Sequence, residues 1–390
     1  MTLADRVAAR HFRRLRRRRR ATADGRLTTF AGRLAVLRDV VVDFARCTGR
    51  PGGEPLDAVG RLDEGEELYR YQRGFLRLPG SRLPALPWRR PHLDRPQLQD
   101  VLDTLVTDGA APGAAPADPT PHMLVLRFEY ANFFHVMTDW YNVFLARRFL
   151  GRPAARVVLA DGHPATPLDE AWRTLFGDVR RIASFAGGAC RLDTLVLTTL
   201  GWDSPLHDFD AWALPLADDF RRFVLGAHGL PADAPRPPGP LRVTLVTRED
   251  YPAHSRSGPG TVQRKFANAP EMTKALASTP GVMARAVALE ALGLREQLAL
   301  VLDTDVLVGM HGAGLVHALF LPPGAGIVEL YPAYVSTRLR HFRRLAAWRG
   351  LAYRRWRNRD PAREHPGHRT EIPPAVLVEE VRRCAAEAAR

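Results

Sequence analysis

Short apolar runs and helical stripes alternate through the middle and end of the chain, and the first 60 residues stand apart from them. MLVLRF at 123–128 is a continuous apolar run of strand length, and 132–149 repeats its apolar positions at helical spacing. RVVLA at 156–160 predicts a second strand, 168–176 a short helix, and TLVLT at 194–198 a third strand. Strands that are apolar throughout and separated by helices predict a parallel sheet covered on both faces. The alternation restarts with LRVTLVT at 241–247, then a helix at 295–302, a strand at 306–310, a helix at 312–319, a strand at 326–331 and a last helix at 374–389. Between the two series, PADAPRPPGP at 231–240 puts five prolines in ten residues and predicts an interdomain linker. The expected organisation is a basic, partly disordered segment at 1–60, with a short helical stretch near 34–44, and then an α/β domain at 61–230 with a flexible loop at 107–121. The linker, a second α/β domain at 241–372 and a C-terminal helix at 373–390 follow. The expected fold class is α/β: two Rossmann-like domains facing across a cleft, with ligands at the carboxyl ends of the strands.

Composition changes this picture little. With 46% hydrophobic and 25% charged residues over 390 positions, the chain is neither disordered throughout, nor collagenous, nor a coiled coil. The formal charge of +14 is local. Residues 1–20 hold nine Arg against Asp5, and 338–369 hold eleven Arg against Asp360 and Glu364, so the rest of the chain is close to neutral. Lys265 and Lys274 are the two lysines among 56 basic residues, a bias that reads as GC-rich coding rather than placement for a partner. A nucleic-acid binder would spread basic residues along its fold among aromatics, so no nucleic acid is expected, and the arginine head reads as a solvated tail. Cys47, Cys190 and Cys384 lie far apart and show no zinc spacing. No signal peptide follows the arginines, and the apolar window 306–330, broken by His311, Pro322 and Pro323, reads as core rather than a membrane span.

Four groups of residues could carry chemistry. Asn132, His135 and Asp139 in FEYANFFHVMTDWY fall on one face of the predicted helix, while Phe133, Phe134, Val136, Met137 and Trp140 bury its other side. A polar stripe on an apolar helix faces water, a ligand or a satisfied buried network, because unpaired burial is costly. His311-Gly312-Ala313-Gly314 follows the strand 306–310 and opens a helix, where backbone N–H groups and the dipole stabilise an anion. Tight strand–helix turns also use glycine for packing alone, and a dinucleotide fingerprint is missing. Arg248 ends the strand 241–247 and precedes Arg256 and Arg264, cations that suit a diphosphate. Glu329 stands near the end of the strand 326–331, where a carboxylate can accept two ribose hydroxyls.

Taken together, these segments resemble glycosyltransferase family 61, and within it the branch that adds β-1,2-xylose to N-glycan cores in plants and algae. The resemblance runs through EYANFFHVMTDWYNVFLARR, ADGHPATPLDEAWRTLFG, VTREDYPAHSR and LVGMHGAGLVHALFLPPGAGIVEL in that order, preceded by GGEPLDAVGRLDEGEELYRYQRG, and covers roughly 45–360. It implies a two-domain (GT-B) inverting enzyme that moves xylose from UDP-xylose to the core β-mannose of protein N-glycans in the Golgi. No essential metal and no bound cofactor are implied, and the membrane is reached through an anchor in place of which this chain has an Arg-rich head. Siblings transferring N-acetylglucosamine or arabinose, and a non-catalytic basic binding protein, are the alternatives. The expected roles are His135 and Asp139 for catalysis, with either one as the base. Arg248, Arg264, His311, Gly312, Ala313, Gly314 and Glu329 are expected to bind the donor, and Glu129, Asn132 and Trp140 the acceptor. Asp303-Thr304-Asp305 precedes a strand instead of following one, which argues against a metal-binding acidic pair. Where the family pattern continues Asn-Glu after Asn268, this chain has Ala269-Pro270.

Overall fold

The computed structural model describes residues 3–48, 70–82, 98–108, 117–127, 130, 132–152, 154–161, 163, 166–185, 188–198, 201–233, 238–250 and 262–390. Two compact units emerge: 1–131 with 135–208, and 132–134 with 209–390. Each is a Rossmann-like α/β unit.

The first unit opens with helix α1 (Leu3–Arg17) and strands β1 (Arg19–Ala21), β2 (Leu27–Phe30) and β3 (Leu34–Asp43). A short ribbon, β4 (Cys47–Thr48) with β5 (Arg70–Tyr71), precedes β6 (Leu76–Arg77) and α2 (Leu98–Asp103). The α/β part is β7 (His122–Val125), α3 (Phe133–Leu150), β8 (Arg156–Leu159), α4 (Pro167–Phe176), β9 (Val179–Arg181) and β10 (Ala189–Thr198). One sheet runs β1-β2-β3-β10-β7-β8-β9, with β6 on β3. Strands β10, β7, β8 and β9 are parallel, and β1 to β3 extend the sheet antiparallel. Along the parallel part the chain order is 3-2-1-4 from β9 to β10, so the order reverses between β7 and β10. In doubly wound sheets that reversal opens a crevice at the carboxyl ends of the strands.

Two expectations for the first 60 residues are corrected. The stretch 34–43 is strand β3, paired with β10 over nine positions, and not a helix, while Phe44 opens a short 3₁₀ turn. Val36, Val40, Val41 and Val42 are stiff at χ1 and favour a pleated surface over a helix. The arginine head is folded: α1 buries Val7, Ala8 and Leu15 while its arginines face outward. Phe12 packs on Phe149 of α3 at 5.4 Å, and Arg16 lies over the same ring at 5.5 Å. Deleting residues 1–20 therefore bares the Phe149 end of α3. Loss of these buried side chains, about 3 kcal/mol or more, is expected to lower the melting temperature of the first unit by roughly 6–12 °C. A thermal scan matching that of the full chain would show the head to be a bystander.

Burial, with Arg33 and Arg14 adding to it, lowers the His11 imidazole to about 4, and burial lowers His207 to about 4. The unfolded chain takes up these protons near the ordinary 6.5, whereas the folded unit refuses them until about 4, so acid favours unfolding. The melting temperature is expected to be steady above pH 7 and to fall by several degrees by pH 5. His11→Gln/His207→Gln should flatten that slope, and an unchanged slope would assign it to other groups.

The second unit comprises α5 (Ala217–Ala227), β11 (Leu241–Thr247), β12 (Lys265–Phe266), α6 (Ala269–Ala277), β13 (Val282–Ala288), α7 (Leu294–Leu302) and β14 (Val306–Met310). The 3₁₀ helix Ala313–Phe320 follows, then β15 (Gly326–Tyr331), α8 (His341–Arg349), β16 (Ala352–Arg357), β17 (Glu364–His365), β18 (Arg369–Thr370) and α9 (Pro374–Ala388). Its main sheet is wholly parallel in the order β13-β11-β14-β15-β16, which is 2-1-3-4-5, with the reversal between β11 and β14. Val243, Leu245, Val306, Val308, Val328 and Leu330 form one core with residues of α6 and α9. The C-terminal helix is thus part of this unit.

The expected boundary at 231–240 is also corrected. Residues 209–230 fold with the second unit: Trp348 donates to the Ala211 carbonyl at 2.9 Å, Arg349 pairs with Asp218, and Arg221 of α5 donates to the Phe320 carbonyl at 3.4 Å. The described residues of the Pro-rich segment connect α5 to β11 within that unit. Residues 49–69, 109–116, 234–237 and 251–261, with Arg256 among them, and Glu129 lie outside the described residues.

Candidate active-site residues

In the first unit the reversal point is bounded by the segment after β7 and the segment after β10. Asn132 caps α3, its side-chain oxygen accepting from the Phe134 N–H at 3.0 Å. His135 and Asp139 lie a turn apart on that helix. His135 is 9% exposed and stacks on His207 at 5.6 Å and 19°, whereas Asp139 is fully buried. Gly201, just past β10, packs against the same turn: a Cβ there would overlap Thr138 Oγ1 and stand 3.0 Å from Asp139 Oδ1. Carboxylate and imidazole are therefore placed at the carboxyl end of the sheet, with His135 the more accessible of the two. Trp140 is corrected. It has no exposed surface and packs edge-on to Trp172 at 6.2 Å and 83°, so it belongs to the core and offers no face to an acceptor.

Beside them lies a cluster that reading the sequence missed. Arg127, fully buried just after β7, holds Asp161 with two hydrogen bonds of 2.9 and 2.6 Å and Asp169 with a third of 3.0 Å. Arg181, at the end of β9, also pairs with Asp169. Burial opposes charge on both sides of this network, yet each partner wins: Asp161 is held below the usual carboxylate range by Arg127, and Arg127 is raised by Asp161 and Asp169. The network ties the carboxyl ends of β7, β8 and β9 to the first turn of α4. A charged residue interrupting the end of an apolar run was the sequence signal, masked in a chain with arginines throughout.

In the second unit the reversal point lies between the ends of β11 and β14, and the expected cations and glycines meet there. Arg248 follows β11 directly, and its guanidinium lies against Gly312: a Cβ on Gly312 would stand 3.0 Å from Arg248 Nη1. Arg248 also donates to the Gln263 carbonyl at 2.9 Å. Arg264 is next to it. Burial first, and then the like charge of Arg248, lower its guanidinium to about 10, and its buried Nε has no hydrogen-bond partner among the described residues. Two neighbouring guanidiniums beside the Ala313 end of a helix form a cradle for an anion. The helix is 3₁₀ over eight residues, a length uncommon enough to mark a constrained site. Gly314 serves packing, since a Cβ there would press on Val246 Cγ1 at 3.1 Å.

Glu329 is corrected. Ile327, Glu329 and Tyr331 alternate with Val328 and Leu330, so Glu329 lies on the face opposite the α9 core. It is 1% exposed, and both carboxylate oxygens are taken: His311 Nδ1 donates to one at 2.5 Å and the Tyr353 hydroxyl to the other at 2.5 Å. Buried and already holding two side chains, the carboxylate is not open to ribose hydroxyls. The carboxylate instead orients His311, whose ring stacks on Tyr331 at 4.9 Å, and leaves Nε2 as the nitrogen to face a ligand. His317 is a second residue unforeseen in the sequence. It donates to the Gly314 carbonyl at 2.9 Å and pairs with Gln297 of α7 at 2.8 Å, fixing the 3₁₀ helix.

Asp303 pairs with Arg242 and Arg285, and Asp305 accepts from the Arg242 N–H at 2.8 Å, at the end of β14 opposite Gly312. Asn268 is structural: its amide exchanges hydrogen bonds with the Ile372 backbone at 2.8 and 3.0 Å. No helix among the described residues is long and apolar enough to cross a membrane.

The second unit belongs to the doubly wound class of α/β folds, whose ligand crevice opens at the reversal point, and Arg248 and Gly312 lie there. The family model described as glycosyltransferase 61 matches residues 133–328, about half of the chain, and the chain belongs to glycosyltransferase family 61. It is 31% identical over 274 residues to the β-1,2-xylosyltransferase of Arabidopsis thaliana, covering 60% of this chain and 51% of that protein. It is 29% identical over 343 residues to the β-1,2-xylosyltransferase RCN11 of Oryza sativa subsp. japonica, covering 77% of this chain and 63% of the relative. The chain thus spans less than two thirds of both. The EGF domain-specific O-linked N-acetylglucosamine transferase of Drosophila melanogaster is 35% identical over 141 residues, 36% of this chain and 24% of the relative.

Proposed function

We propose that the chain is an inverting glycosyltransferase that moves xylose from UDP-xylose to the 2-hydroxyl of the core β-mannose of protein N-glycans in the Golgi. The observation that carries the donor class is the contact of Arg248 with Gly312, beside Arg264 at the reversal point of the second sheet. The breadth of the likeness favours xylose: 60% and 77% of the chain match the two xylosyltransferases, against 36% for the N-acetylglucosamine transferase. Transfer of N-acetylglucosamine is the second reading, favoured by the higher identity of 35% over that shorter stretch.

In this reading the acceptor hydroxyl attacks C1 of xylose, its proton passes to His135 or Asp139, and the bond from C1 to the diphosphate breaks with inversion. The leaving electron pair ends on the UDP phosphate, where Arg248, Arg264, His311 and the backbone at Gly312–Ala313 stabilise it without a metal. Arg248→Ala is expected to raise the donor KM roughly tenfold to hundredfold, the loss of a charged hydrogen bond of about 1.5–3 kcal/mol, with melting unchanged. A donor KM within about twofold of wild type would put the diphosphate elsewhere. Transfer should persist in excess EDTA, and complete loss restored by Mn²⁺ would contradict the metal-free reading.

A further inference from the structure

The carboxyl end of β15 carries a feature that the diphosphate cradle does not use. Tyr334 is 48% exposed, one of few large apolar side chains at the surface among the described residues. It is not on a slack loop. The preceding residue is pinned on both sides, the Ala333 N–H donating to Glu364 at 2.7 Å and its carbonyl accepting from Arg357 at 2.8 Å. Glu364 is itself fixed by Asn358 and Thr370, each at 2.7 Å, and both of these are buried. The Tyr334 ring lies 6.0 Å from that of His368. Arg264 and His368 both adopt left-handed backbone, at φ 62° and 58°, and are joined through the Lys265 N–H to the His368 carbonyl at 2.9 Å. Two strained non-glycine residues thus meet near one exposed ring, and such strain persists only where the surroundings enforce it.

We infer that Tyr334 is a stacking platform for the base of the nucleotide donor. The inference rests on the reading of Arg248, Arg264 and Gly312 as the diphosphate cradle. A nucleoside diphosphate carries its base and its phosphates on one ribose. The second unit presents a pinned aromatic face just after β15, the strand next to β14, and the residue after Arg264 is hydrogen-bonded to His368, whose ring lies 6.0 Å from that of Tyr334. An aromatic face binds any base through its π-surface, and a pinned loop loses little freedom on binding.

The test compares equilibrium binding of UDP and of inorganic pyrophosphate to the full chain and to Tyr334→Ala and Tyr334→Phe. The exposed position lets thermal melting confirm that both variants fold. Tyr334→Ala is expected to weaken UDP roughly tenfold to hundredfold and to leave pyrophosphate within about twofold, while Tyr334→Phe keeps most of the UDP affinity. Unchanged UDP binding in Tyr334→Ala, or an equal loss for UDP and pyrophosphate, would overturn the platform. A rise in acceptor KM with UDP binding intact would overturn it too, and would assign the ring to a sugar. If wild type binds neither ligand, the cradle itself is wrong and the platform falls with it.

Discussion

Arg127→Met is expected to destabilise the chain by about 3–5 kcal/mol, because the fully buried Asp161 would lose its ion-pair partner and Asp169 would be left with Arg181 alone. The effect is large because all three side chains are almost wholly withdrawn from water. Removing all the charges together should cost less than removing one. Arg127→Met/Asp161→Asn/Asp169→Asn is therefore expected to be more stable than Arg127→Met alone in urea unfolding, with Arg181 released to solvent. If the single variant unfolds within about 1 kcal/mol of wild type, the network is not what ties the ends of β7, β8 and β9 together. If the triple variant is the less stable, hydrogen bonding rather than charge pairing dominates there.

The second large effect concerns proton transfer. General base catalysis contributes on the order of 10²–10⁴-fold, so loss of the base should lower kcat by that factor with folding intact. His135 retains surface and Asp139 does not, which favours His135 as the group that meets the hydroxyl. His135→Ala is then expected to lose most of kcat, and Asp139→Asn somewhat less, because the amide preserves shape in the tight packing against Gly201. If Asp139→Asn abolishes turnover while His135→Ala raises only the acceptor KM, the roles are reversed. If both variants melt normally and keep near-normal kcat, this face of α3 is structural.

The α/β alternation was legible because its strands are buried on both faces, so apolar runs such as LVGM and GIVEL admit few other readings. β3 was misread because its valines run beside Arg38 and Asp39, which break the two-residue alternation. The head was misread because α1 buries only a thin stripe behind its arginines, and charge count outweighs so narrow an apolar signal. Proline density suggested a boundary at 231–240, but a boundary is set by contacts, and α5 makes its contacts with residues more than 90 positions away. At the site, the meeting of Arg248 and Gly312 followed from strand ends, since a parallel sheet gathers all its carboxyl termini at one edge, whereas Arg264 arrives just before β12 of a separate sheet. The partner of Glu329 did not follow. Whether a strand-end carboxylate faces solvent or a neighbouring strand depends on which face α8 covers, and Tyr353 is 24 residues away in sequence. Arg127 was hidden for a similar reason, as its carboxylates arrive from the end of β8 and from α4.

The central claim is pentose transfer to an N-glycan. The most direct measurement incubates the chain with a glycopeptide bearing a defined N-glycan core and with UDP-xylose, UDP-N-acetylglucosamine or UDP-arabinose in separate reactions, and reads the product by mass. The account predicts one added pentose from UDP-xylose, on the core β-mannose in β-1,2 linkage and abolished in Arg248→Ala/Arg264→Ala, with little or no product from the other donors. Product from UDP-N-acetylglucosamine alone, or no transfer from any donor by a folded chain that binds UDP, would contradict it.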